Sequence, residues 1–312
     1  MLSFKNKFLL SRYVNRFLVK NHLTSNAIET VNNFEQSKND QLNEFLINYA
    51  RKHPTKTTFS KLFNQLDSNA NRQLPFILPY EHTGRKSLTK TSDLLDGIVT
   101  IAHILPSTSQ VILASGFAIH DGGLIVTCAH TFYQAARHLH SNGSNSKSQS
   151  ILITHEGELI GIAAVESHLV ISDLVLLKLN RQRKLTALPI DPYPAPVSTA
   201  LLSYNFSTAS LSSTSLPSIS HSWTSARVLV YKNRCGQEAQ TGTYDELSSM
   251  MYSHAPSNGS SGGPILNAQT HSVVGIVRGS ELNYTNRKCV GFAIPSEGLF
   301  EAFKLPGMPD GL

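Results

Sequence analysis

The chain has 312 residues and a mass of 34.2 kDa, with 40% hydrophobic and 15% charged residues. That is room for one large domain or two modest ones around a core that needs no disulfide staples, and it is not the composition of a disordered chain. No run of 18 or more apolar residues occurs, which rules out a spanning helix. The three cysteines, Cys128, Cys235 and Cys289, are odd in number and far apart, which argues against a disulfide framework and for a reducing or non-secretory compartment.

The net charge of +6 is unevenly placed. Lys5, Lys7, Arg12, Arg16 and Lys20 precede the first acid, Glu29, so residues 1–28 carry +5 and the other 284 carry +1. The basicity therefore belongs to a leader and not to a nucleic-acid-binding face. On a helix, Lys5, Arg12, Arg16 and Lys20 share one stripe, while Leu10, Val14, Phe17 and Leu18 lie roughly opposite. A basic, acid-free, amphipathic start is the profile of a mitochondrial transit peptide, expected over 1–25. An ordinary surface helix of a cytoplasmic protein and a membrane-surface anchor are the alternatives.

Residues 26–90 are expected to form a helical and linker segment. Helical apolar spacing runs from Ile28 to Tyr49 and stops at His53-Pro54. A second short helix is expected over Phe59–Leu66, and 67–90, with Pro75 and Pro79, reads as a linker. No chemistry is legible in this stretch. After Leu94 the sequence becomes short β runs: GIVTIAHIL, VILASGFAIH, GLIVTC, SILIT, LIGIAAV, LVLLKL, ARVLVY, SVVGIVR and CVGFAI. Many short strands between turns predict an all-β sandwich or barrel. Ser141–Ser150 and Ser207–Ser225 read as surface loops, the latter because 12 of its 19 residues are Ser or Thr.

Three segments carry chemistry. Asn258-Gly259-Ser260-Ser261-Gly262-Gly263-Pro264 precedes a strand-like Ile265-Leu266. A serine nucleophile needs backbone N–H groups aimed at the developing oxyanion, and Gly259 gives the turn the freedom to supply them; the alternative is a plain Gly/Ser turn. In Gly123–His130 a β run ends in small residues and then His130, a side chain suited to taking a serine proton near neutral pH. One histidine among 13 means little by itself. In Ile171–Leu179, Asp173 opens an apolar strand. It is either a strand-capping surface acid or the carboxylate that orients a histidine.

In the order His–Asp–Ser, the segments SGFAIHDGGLIVTCAH, SDLVLLKL and GSSGGPIL resemble the signatures of trypsin-like, chymotrypsin-fold serine proteases. The nearer likeness is to the HtrA/Deg branch, through the Gly-x-Ser-Gly-Gly-Pro loop and the late GFAIPS of Gly291–Ser296. The resemblance covers about 94–303 and leaves 304–312 as a tail. It implies two six-stranded antiparallel β-barrels, with the active site between them and the helical N-terminal segment before them. It also implies a serine endopeptidase acting on polypeptides through an acyl-enzyme, with a role in protein quality control or processing. Ser261 would be the nucleophile, His130 the base and acid, and Asp173 its orienting carboxylate. The N–H groups of Gly259 and Ser261 would form the oxyanion hole. Ala255, six before the serine, would floor the substrate pocket, and Arg278, on the strand expected to line it, would repel a basic side chain if it points inward.

The sequence departs from that pattern in places. Digestive members have cysteine after the histidine, where this chain has Thr131, and aspartate before the serine, where it has Ser260, so their activation switch is absent. Members of the HtrA/Deg branch usually carry PDZ domains after the protease, and none is expected in residues 304–312. Cys128 as nucleophile is an alternative to its being a small buried side chain. No Cys/His spacing suits a metal, and no phosphate loop appears, so no cofactor, no metal and no nucleic-acid partner are expected. Self-association into a homo-oligomer is left open. The rival function is a catalytically idle protease-fold binding or scaffold protein.

Overall fold

A computed structural model describes residues 40–78, 91–140, 148–180, 184–208, 219–243, 245–283 and 288–304. The leader, much of the tail and the Ser-rich stretch 209–218 lie outside these residues, so the targeting expectation does too. Among the described residues no helix is long and apolar enough to cross a membrane.

Six strands make the first barrel: β1 (Ile98–Leu105), β2 (Gln110–Ile119), β3 (Leu124–Cys128), β4 (Gln149–Thr154), β5 (Leu159–Leu169) and β6 (Leu174–Leu179). They close in the order β1-β2-β3-β6-β5-β4, every neighbour antiparallel. β1 is buried at every position, because the two faces of its pleat feed different clusters. Val99, Ile101 and Leu105 pack with one set of apolar side chains, Ile98, Ala102 and Ile104 with another.

The second barrel uses β7 (Ala200–Thr208), β8 (Ile219–Lys232), β9 (Glu238–Ala239), β10 (Ser249–Tyr252), β11 (Pro264–Asn267), β12 (Val273–Asn283) and β13 (Lys288–Pro295). The order is β10-β13-β12-β11-β7-β8-β9, and a further β10–β8 pairing closes six of the seven strands into a ring with β9 on its edge. The expected pair of six-stranded antiparallel barrels is thus observed, in a chymotrypsin-like arrangement. The barrels share core: one cluster runs from Ile98, Val126 and Leu176 of the first to Tyr204, Phe206, Leu266 and Ile276 of the second.

Three sequence expectations change. Of the expected surface loop Ser141–Ser150, 141–147 lie outside the described residues, whereas Ser148 is buried and Gln149 and Ser150 open β4. Ser207–Ser225 is only partly loop, since β7 and β8 pair out to Ser207↔Ser220 and Thr208↔Ile219. The ladder needs only backbone groups, Thr suits an extended chain, and Tyr204 meets the His221 ring at a tilt and the Trp223 ring edge-on across the ribbon. The stretch before the barrels is also more than helix and linker. Helix α1 (40–52) buries Leu42, Leu46 and Ile47, and α2 (Phe59–Ser68), capped by the Thr58 hydroxyl, buries Phe59, Leu62 and Leu66. α2 lies along β5: Gln65 Oε1 accepts from the Val165 N–H at 3.0 Å and Asn69 Nδ2 donates to the Val165 carbonyl at 2.6 Å. Leu74 and Leu78, expected in the linker, are buried, and Leu74 bridges to Phe303 beside the closing 3-10 helix, Ser296–Ala302. A short helix α3 (Thr91–Asp96) then leads into β1.

Candidate active site

The first barrel supplies an acid–base pair. β3 ends at Cys128 and the chain turns at once into α4 (His130–His140). Asp173 stands in the turn before β6 with φ of 60°, a left-handed conformation that Asp tolerates better than most side chains. Its carbonyl accepts from the Ala129 N–H at 2.9 Å. Its Oδ1 accepts from the His130 backbone N–H at 2.8 Å, at the start of α4, and its Oδ2 accepts from His130 Nδ1 at 2.7 Å. A third donor, Arg278 Nε, reaches Oδ2 at 3.1 Å. Burial alone would push the Asp173 carboxyl up. The hydrogen bonds from His130 and the charges of His130 and Arg278 outweigh it and hold the group below the usual carboxylate range. With the carboxylate ionised and accepting at Nδ1, His130 carries its proton there, and Nε2 is left as the basic nitrogen.

The second barrel supplies the serine turn, held to both barrels. Ser115 of β2 donates its N–H to the Ser261 carbonyl at 2.8 Å and its hydroxyl to the Gly259 carbonyl at 2.7 Å. Ser260 is fully buried; its hydroxyl accepts from the Phe206 N–H at 3.0 Å and shares a 2.9 Å hydrogen bond with Ser257. That network ties down the position where digestive proteases carry aspartate. Gly259 and Gly262 both have φ of 88°. A Cβ at Gly259 would stand 2.6 Å from the Phe206 ring, and one at Gly262 2.1 Å from the Ser115 carbonyl oxygen, so the turn requires glycine at both. Among the described residues, the N–H groups of Gly259 and Ser261 have no internal acceptor. The Ser261 hydroxyl donates to the Arg278 carbonyl at 3.3 Å and, among the described residues, makes no hydrogen bond to His130.

Ala255 is half-buried in the segment before the turn, after His254, whose Nε2 meets Asn205 Oδ1 at 3.0 Å. Arg278 does not stand as an unpaired charge. Its guanidinium is turned to Asp173 and lies 5.2 Å from the centre of the Phe292 ring. The cause is a β-bulge: β12 and β13 pair Val277↔Ala293 and then Gly279↔Phe292, leaving Arg278 unpaired, and an extra residue re-aims its side chain. Cys128 is fully buried, its Sγ donates to the Val277 carbonyl at 3.4 Å, and burial pushes the thiol well up, with Asp173 adding to the shift. It is a protonated core side chain and not a nucleophile. Ligand atoms of Cys128, His130 and Asp173 lie within 4.8 Å of one another. The protonated thiol and the shared His130–Asp173 proton make this a poor metal set.

Sequence reasoning missed Ser115, Ser257 and Phe206, which anchor the serine turn from distant strands. It also missed the Arg278–Asp173 ion pair. The only local signal was an arginine inside an apolar strand, SVVGIVR.

No curated protein matches the sequence. Residues 114–276, just over half of the chain, match the trypsin-like peptidase domain. The matched stretch holds His130, Asp173 and Ser261, and it ends two residues before Arg278. With two closed six-stranded barrels around these residues, the chain belongs to the trypsin-like peptidase family.

Proposed function

We propose that the protein is a serine endopeptidase in which Ser261 is the nucleophile, His130 the general base and acid, and Asp173 the orienting carboxylate. The observation that carries this reading is the 2.7 Å contact between Asp173 Oδ2 and His130 Nδ1, which presents Nε2 as a base. Rotation of the Ser261 hydroxyl from the Arg278 carbonyl to Nε2 completes the relay. His130 takes the hydroxyl proton as Oγ bonds to the peptide carbonyl carbon, and the negative oxygen is met by the N–H groups of Gly259 and Ser261. The C–N bond breaks as His130 returns the proton to the leaving amine. Water, deprotonated in turn by His130, attacks the ester, and the acid product leaves with Ser261 restored.

One observation favours the second reading, an idle scaffold: the resting Ser261 hydroxyl faces the Arg278 carbonyl. Hydrolysis of a P1-varied peptide library, with Ser261→Ala as blank, separates the two. Small and medium apolar P1 residues are the expected substrates, because a pocket floored by Ala255 offers no carboxylate to a buried ammonium or guanidinium. Cleavage after Lys or Arg faster than after Val, Leu or Ala would overturn the pocket reading, and no Ser261-dependent cleavage would overturn the activity.

The GSSGGP turn and the GFAIPS segment support a place in the HtrA/Deg branch, with a quality-control or processing role. The acid-free leader supports mitochondrial import. Changing Arg12, Arg16 and Lys20 to glutamate is then expected to leave the protein outside mitochondria; normal import of that variant would overturn the targeting.

A further inference from the structure

We propose that Arg278 is a positioning residue that couples the two barrels at the active site, its side chain fixing and charge-balancing Asp173 while its carbonyl holds the resting Ser261 hydroxyl. This deepens the peptidase reading and rests on it. Arg278 spans from the serine side of the cleft to the acid side. Its Nε donates to Asp173 Oδ2 at 3.1 Å, and its carbonyl accepts from Ser261 Oγ at 3.3 Å. The bulge that excludes it from the β12–β13 ladder is what lets both groups face the site. The guanidinium also lies over the Phe292 ring, 5.2 Å from its centre, a cation–π contact that helps to hold it. A neutral donor at this position could hold the carboxylate, but only a cation also offsets its charge.

That charge has a consequence. Oδ2 is shared by a histidine donor at 2.7 Å and a permanent cation at 3.1 Å. Three other groups bear on the carboxylate from the elements around it. His130 and Tyr133 lie on α4, and Cys128 lies at the end of β3. The Cys128 thiol is held protonated by burial and the Tyr133 hydroxyl is shifted up, mainly by burial and further by Asp67 and Asp173. Arg278 is therefore the one fixed positive charge among these groups. It keeps Asp173 ionised to lower pH, and it withdraws part of the field that favours a protonated imidazole. The arginine thus sets how far into acid the acid–base pair works.

The test uses the full chain with Arg278→Gln, which keeps an N–H donor and removes the charge, and Arg278→Lys, which keeps the charge and loses the planar fork. Two readouts are taken. One is the Asp173 carboxyl titration by 13C NMR on protein without substrate, which needs no catalysis. The other is the pH profile of kcat/KM. Arg278→Gln is expected to move both the carboxyl titration and the acid limb upward by about one pH unit, with Arg278→Lys staying near wild type. Unmoved midpoints in folded Arg278→Gln overturn the proposal. So does a change confined to KM and P1 preference, which would return Arg278 to the substrate pocket. If neither the wild type nor the variants cleave peptides, the peptidase reading fails, and the carboxyl titration alone decides whether Arg278 charge-balances Asp173.

Discussion

The two halves of the site are built differently. On the first barrel, Asp173 and His130 lock each other. One carboxylate oxygen takes the first N–H of α4, the other takes the imidazole, and the turn before β6 is held by the Ala129 N–H. On the second barrel, Ser261 sits on a turn kept in place by two left-handed glycines and by anchors on Ser115, Phe206 and Ser257, while its own hydroxyl rests on the Arg278 carbonyl. The base is oriented by side-chain hydrogen bonds, and the nucleophile is positioned by backbone shape. Side-chain truncation should therefore break the first half, and an added Cβ the second.

The largest effects are expected from the chemistry itself. Ser261→Ala should lower kcat by about 10⁴–10⁶, and Asp173→Asn by about 10⁴, because the amide would present the wrong partner to Nδ1. Adding His130→Ala to Ser261→Ala should cost little more, since the three groups act as a unit. Steady-state kinetics on the double variant checks this, and multiplicative losses would mean that the two halves work independently.

The next largest effect tests the coat of the first barrel. Phe59 is buried against Phe132 and His103, with ring centroids 6.2 and 5.6 Å away. Phe59→Ala should cost about 3–5 kcal/mol in urea unfolding. A cost below about 1 kcal/mol would make residues 40–78 an appendage. Gly262→Ala probes the second barrel, where strain at φ of 88° and a contact of 2.1 Å with the Ser115 carbonyl add together. About 2–5 kcal/mol is expected, with loss of activity in whatever folds. Gly236→Ala, at φ of 79° with nothing within 4 Å, should cost only about 1 kcal/mol.

A modest effect of another kind is a pH dependence carried by buried histidines. His103 in β1 bonds Ser150 at 2.8 Å, and burial pushes it down to about 3. The unfolded chain takes up that proton near pH 6.5 and the folded chain does not, so stability rises with pH across the interval between. Going from pH 8 to pH 5 should cost about 2 kcal/mol from this residue. His221, pushed down to about 4 mainly by burial, acts in the same direction. Urea midpoints at the two pH values check it; His103→Gln should flatten the slope, and an unchanged slope would show that the residue does not carry it.

Barrels, strand runs and the His130–Asp173–Ser261 order were legible because each leaves a local signature: short apolar runs between turns, a Gly-rich turn, an acid opening an apolar strand. α2 was legible from Phe59, Leu62 and Leu66 at helical spacing. What was hidden depends on partners distant in sequence. The Ser-rich stretch hides paired strand because Tyr204 and Trp223 stabilise the ribbon from opposite strands. Leu74 looks like linker until Phe303 is beside it. Arg278 enters only as a pocket residue through the resemblance, and the bulged residue that brings it to Asp173 leaves no mark in the local sequence.

The most direct test of the central claim is covalent labelling of the purified full chain with a fluorophosphonate, read by peptide mass spectrometry. The account predicts one adduct, on Ser261, formed at a rate that falls steeply in His130→Ala and Asp173→Asn and is absent in Ser261→Ala. No adduct on folded protein, or one that forms equally fast without His130, would contradict it.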